Sequence, residues 1–133
     1  MRSTRWGDRG QSTVEFAMIL PLVALLVLFL VQAGLIARDQ LLLSHAAREA
    51  VRAAAVSDTD RSVAAMTAAR RAGSLDSDRL SGVIESADGG LSVRVLLSYR
   101  SPTDLAIIGA LVPDVELEAT VMMRVESDRE HGS

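Results

Sequence analysis

From Phe16 to Ala37 the chain runs for 22 residues with no charge and a single polar side chain, Gln32. At about 1.5 Å of rise per residue such a helix reaches roughly 33 Å, enough to cross a hydrocarbon core of about 30 Å. The run therefore reads as a membrane span, and the chain divides around it. Residues 1–10 form a basic cytoplasmic leader, 11–37 a transmembrane helix, 38–56 an amphipathic extension of the same helix, and 57–133 an extracytoplasmic head.

Charge sets the orientation. Residues 1–10 carry Arg2, Arg5 and Arg9 against Asp8, while residues 38–133 carry 11 Arg against 15 Asp or Glu. Arginine beside a span stays in the cytoplasm, which places the N-terminus inside and the head outside a cytoplasmic membrane crossed once. An acidic outer part argues against nucleic acid as a partner. The chain has no cysteine, so disulfides, thiolate nucleophiles and zinc-thiolate sites are excluded. The four aromatic residues, Trp6, Phe16, Phe29 and Tyr99, are too few for a stacking site.

Residues 1–10 have two glycines and no periodicity, and are expected to be disordered or lost by processing. Ser12-Thr13-Val14-Glu15 has the form of a capping box ahead of the apolar run. Pro21 lies two turns in and predicts a mild kink. Beyond Ala37, Leu43, Ala46, Ala47, Ala50, Val51 and Ala54 recur at steps of three and four, opposite a polar stripe of His45, Arg48, Glu49 and Arg52. One helix from about Ser12 to about Val56 follows, roughly 65 Å long. Its alanine-lined face is small enough for close packing against a partner helix.

Ser57 to Asp60 breaks the helix and supplies caps for a second one, Arg61 to Ala72, with Val63, Met66 and Ala69 on one side and Gly73 as terminator. Leu80 to Ala87 reads as a strand. Asp88-Gly89-Gly90 is a hairpin turn signal. Leu91 to Tyr99 alternates, with Leu91, Val93, Val95, Leu97 and Tyr99 on one face. Leu105 to Val112 is an apolar segment, either a short helix or a covering loop. Val115 to Val125 alternates cleanly and is a half-buried strand. Glu126 to Ser133 is a charged tail. The fold class is α+β: a long N-terminal transmembrane helix continuing into a small head with a second helix and an approximately three-stranded antiparallel sheet, which needs the helix face to be stable.

Two local patterns bear on function. Cleavage between Gly10 and Gln11 would make Glu15 the fifth residue of the new chain. A carboxylate at the margin of a membrane helix is then useful, because a new α-amino group one turn away can pair with it. The alternative is that Glu15 only completes the cap and complements the helix dipole. Arg48, Glu49 and Arg52 are spaced as a surface ion-pair patch, either purely local or a registration patch toward a partner. His45 and His131 stand far apart without further ligands, so no metal or cofactor is expected. Nucleophile-elbow, P-loop and dinucleotide-binding patterns are absent, which leaves no catalytic residues to name and no small-molecule substrate.

Arg9-Gly10-Gln11-Ser12-Thr13-Val14-Glu15-Phe16 through Pro21 resembles the opening of TadE-like proteins, minor pseudopilins of the Tad (Flp) pilus assembly system. Ser44 to Ala55 is similar to that family's Ala-Ala-Arg-Glu segment, and Ala119 to Glu126 resembles its closing strand. The resemblance implies a non-enzymatic role in assembly or initiation of a Tad/Flp-type pilus. It also implies cleavage after Gly10 by a prepilin peptidase, with Glu15 and Phe16 used in subunit registration or recognition. Its implied partners are other pilins or pseudopilins and the pilus assembly platform. Phe16 departs from the tyrosine usual in major Flp pilins, whose chains are also shorter. The competing expectations are a secreted domain, cut after Ala33 or Ala37, and a single-pass membrane-anchored interaction domain unrelated to pili.

Overall fold

A computed structural model describes residues 7–57, 59–103 and 113–125, with side chains from Thr13 onward. The expectations for Leu105–Val112, for the tail with His131 and for the tip as far as Trp6 lie outside the described residues.

The first element is one unbroken helix, α1, Gly7–Val56, of 50 residues with Pro21 inside it. At about 1.5 Å per residue it is roughly 75 Å long. It begins five residues before Ser12, which corrects two expectations. Gly7 to Gly10 is helical rather than unstructured, and Ser12 to Glu15 lies within the helix rather than capping its end. The physical reason is propagation. Once the long helix exists, each added residue gains a backbone hydrogen bond, and even glycine loses only about 1 kcal/mol relative to alanine.

From Thr13 to Val31 every side chain of α1 is exposed except the half-buried Leu28. Burial starts at Gln32 and follows the helical repeat thereafter. Leu43, Ala46, Ala47, Ala50, Val51 and Ala54 are fully buried. They meet Ala65 and Ala69 of the second helix and Val93, Val95, Leu97, Tyr99, Leu117 and Ala119 of the sheet. Within the chain, the face read as suited to close helix packing is covered by the second helix and by the sheet and forms the floor of the head. The sheet and second helix need an apolar surface, and this stripe is the one that α1 offers them.

Helix α2 spans Arg61–Ala72. Asp60 caps it, its carboxylate accepting from the Ser62 and Val63 amides at 3.0 and 3.1 Å and from the Ser62 hydroxyl at 2.6 Å. Its buried residues are Ala65 and Ala69, whereas Val63 is 61% exposed. The expected Val63–Met66–Ala69 face is thus rotated. Alanines at i and i+4 let α2 lie close on the alanines of α1, and a valine would hold the helices apart. Gly73 ends α2 in an extended conformation, its amide donating to the Ala69 carbonyl.

Three strands, β1 (Leu80–Ala87), β2 (Ser92–Ser101) and β3 (Val115–Arg124), form an antiparallel sheet in the order β1-β2-β3. Register is fixed by pairs such as Val83 with Leu96 and Leu97 with Ala119. The β1–β2 turn runs through Asp88, Gly89 and Gly90, all at positive φ. Leu91 completes this turn and is 58% exposed, so the inward face of β2 begins at Val93 rather than Leu91. Gly82 faces inward where no side chain fits. A Cβ there would stand 2.6 Å from Leu97 Cδ2 and 2.8 Å from Met66 Sδ, and this closeness lets α2 cover the inner face of β1.

Candidate functional site

The site has two parts, a bare apolar rod and a polar clasp where the rod enters the head. Residues Thr13–Val56 include a window of mean hydropathy 2.8, none of it buried by the rest of the chain. An apolar surface of that extent, left uncovered, marks a membrane or protein interaction site. Glu15 and Phe16 lie on this exposed stretch, Phe16 being 67% exposed. The Gly10–Gln11 peptide bond lies inside α1, one turn from its start.

The clasp begins at Gln32. Its Nε2 donates to the Pro102 carbonyl at 3.5 Å, while Oε1 is buried without a partner among the described residues. Two turns further along, Asp39 is buried, accepting a 2.8 Å hydrogen bond from Ser101 Oγ at Oδ2 and pairing with Arg38 Nη1 at 3.3 Å through Oδ1. The two partners differ. The Asp39 side chain is 12% exposed and that of Arg38 59%, so Arg38 supplies charge from the solvent side and Ser101 supplies the buried contact. Gln40 Nε2 then donates to the Glu118 carbonyl at 3.0 Å, covering part of the free edge of β3.

The opposing segment is tied to itself. The Thr103 amide donates to Asp114 Oδ1 at 3.2 Å and its hydroxyl to the Pro113 carbonyl at 3.3 Å, while Asp114 Oδ2 holds Arg79 Nη1 at 3.4 Å. The ends of the 104–112 connection are therefore joined directly above the point where α1 becomes bare.

The structure does not bring Arg48, Glu49 and Arg52 together, since no ion pair joins them among the described residues. Glu49 turns toward α2, lining a groove with His45, Ala53, Ala64 and Arg71, while Arg48 and Arg52 face away. No group of three His, Cys, Asp or Glu that could hold a metal occurs among the described residues.

The segment that includes the rod and the polar stripe above it has a known counterpart. Residues 10–52 match the family model described as TadE-like protein. The chain carries a TadE-like N-terminal region. The matched part is about a third of the 133 residues and stops before α2, so the closing strand lies outside it. No curated protein and no solved structure matches the chain. The match shows what residues 10–52 are similar to, and the exposed apolar helix is compatible with a single-pass membrane anchor.

The clasp residues were the part that sequence reasoning missed. Gln32 stood out as the one polar side chain of the span, and a polar group in such a run carries a partner by default. Nothing local named Pro102 as that partner, because 70 residues separate them.

Proposed function

We propose that this protein is a non-enzymatic minor pseudopilin. It acts in the assembly or initiation of a Tad/Flp-type pilus, held in the cytoplasmic membrane by α1 with its N-terminus inside and its head outside. A prepilin peptidase cuts after Gly10, and Glu15 and Phe16 register the mature chain against pilins or the assembly platform. The observation that carries this reading is the TadE-like match over residues 10–52, which spans the cut position, the bare rod and the start of the head's floor in one segment.

Release as a secreted domain is the second reading. Two features weigh against it. Gln32 and Ile36 pack into the head, and the helix continues through Ala33 and Ala37 without interruption. A cut at either alanine would strip the head of its lowest contacts.

The test is the N-terminus of the mature protein, read by intact mass and N-terminal sequencing from native membranes. A chain beginning at Gln11, with Gly10→Ala abolishing the cut, is the expected result. A chain beginning at Gly34 or Arg38 in the medium overturns it. An intact Met1 or Arg2 start reduces the protein to a simple anchor.

A further inference from the structure

One open groove, of about 660 Å³, is lined by α1 and α2 alone, with Ala53, Ala64, Ala68 and Ala72 as its small residues. Its charged groups are Glu49 on the α1 wall and Arg71 on the α2 wall, with His45 and Thr67 beside them. Arg48, Arg52, Arg61 and Arg70 are not part of the lining. Glu49 and Arg71 have opposite charge and stand on facing walls, yet neither has an ion-pair partner among the described residues. Glu49 is half-buried, so its carboxylate is partly desolvated without a counter-charge. The other end of the groove is apolar. Val56 follows Glu49 and Ala53 at steps of four and three along α1 and is 77% exposed. Val63, beside Ala64 and one turn before Thr67 on α2, is 61% exposed.

Heights along the helices follow from the connection. Only four residues separate Val56 from Arg61, and Ala65 and Ala69 share one buried cluster with Ala46, Ala50 and Ala54, so α2 returns antiparallel along α1. Counted from that connection at about 1.5 Å per residue, Val56 and Val63 lie within about 3 Å of one level, and Arg71 lies about 4.5 Å below Glu49.

We propose that this groove is a two-fold contact between two copies of the chain, with α1 of each copy laid on α2 of the other. An axis running along the helices leaves every height unchanged and turns each α1 wall toward the partner's α2 wall. Glu49 then meets the partner's Arg71, and Val56 meets the partner's Val63. Both pairs form twice, because the surface is self-complementary. The alanines leave room for the side chains of the facing wall. An axis across the groove is ruled out by the same charges, since it turns each wall on itself and sets Glu49 against Glu49 and Arg71 against Arg71. Copies anchored side by side through α1 point the same way, as the first axis requires. The contact is independent of any role in a pilus.

The test uses the full chain, which has no cysteine, so an engineered disulfide is unambiguous. Copies carrying Val56→Cys and copies carrying Val63→Cys are differently tagged, co-expressed and oxidised. The expected product is the mixed dimer. Its yield should fall about tenfold or more when both copies also carry Glu49→Arg, or when both carry Arg71→Glu, because like charges then face each other. It should return when both copies carry the two reversals together. No mixed dimer, a yield that ignores the single reversals, or a yield that the double reversal does not restore would each overturn the proposal. So would same-variant dimers in its place, or capture of either copy by a different protein instead. Arg71 is exposed in the last turn of α2, so Arg71→Glu leaves the core unchanged, which circular dichroism checks.

Discussion

Ser101 Oγ reaches across 62 residues of chain to donate a 2.8 Å hydrogen bond to Asp39 Oδ2. It is the buried half of the contact that seats the head on α1, and it joins the end of β2 to the helix two turns beyond Gln32, where burial of α1 starts. Removing the hydroxyl leaves a largely desolvated carboxylate with only a solvent-facing Arg38. Hydrogen bonds to charged groups contribute about 1.5–3 kcal/mol. Ser101→Ala should lower head stability by about that amount, and Ser101→Thr should restore part of it. Urea unfolding followed by circular dichroism measures the difference.

Gly82 is held between Leu97 and Met66 with no room for a methyl group. Overpacking of this kind typically costs about 1–3 kcal/mol. Gly82→Ala should destabilise the head within that range. Adding Met66→Ala should restore part of the loss, because the sulfur that the new methyl meets is gone. A double-mutant cycle with strictly additive effects would show that α2 and β1 are not in contact here.

The fully buried alanines of α1 provide a direct check on where that face packs. Ala47→Leu or Ala50→Leu should destabilise the isolated protein by about 1–3 kcal/mol, since the space above them is filled by the chain's own head. If the face instead awaited a partner helix, the thermal midpoint of the isolated protein would hardly move.

Asp60 titrates below its ordinary value of 3.8, chiefly because of the Ser62 hydroxyl hydrogen bond, aided by the Val63 and Ser62 amides and opposed by slight desolvation. A depressed folded-state pKa means that the charged form favours the folded cap. That contribution is complete above the unfolded value and is lost as pH falls through the folded one. The start of α2 should fray in acid below the ordinary carboxylate range, and Asp60→Asn, which still caps, should remove the pH dependence while keeping the helix. Amide exchange at Ser62 and Val63 against pH reads this directly.

The elements of the fold were legible because their signals are local. The alternation of Val93, Val95, Leu97 and Tyr99 marked β2, and the three–four spacing of Leu43 to Ala54 marked the buried side of α1. Periodicity shows which face is buried and not what buries it; here the chain's own sheet and α2 cover that side. In α2 the Val63 side chain misled, since alanines carry little hydrophobic weight and here the small residues decide the approach. The start of α1 was misplaced at a capping pattern that the longer helix simply runs through. The clasp was illegible for a different reason. Gln32, Asp39 and Gln40 find their partners at Pro102, Ser101 and the Glu118 carbonyl, 62 to 78 residues away, where no local pattern can point.

The clasp also fixes what happens when the protein is moved. With Gln32, Asp39 and Gln40 holding the head to an unbroken helix, the rod cannot piston through the head. Where α1 anchors the chain in a bilayer, as proposed, a pull on the head draws the whole helix outward as one body, and the exposed side chains from Phe16 to Val31 leave lipid together. Water is a poor destination for that surface. On that reading, leaving the bilayer would be a transfer between two apolar hosts rather than a release into water.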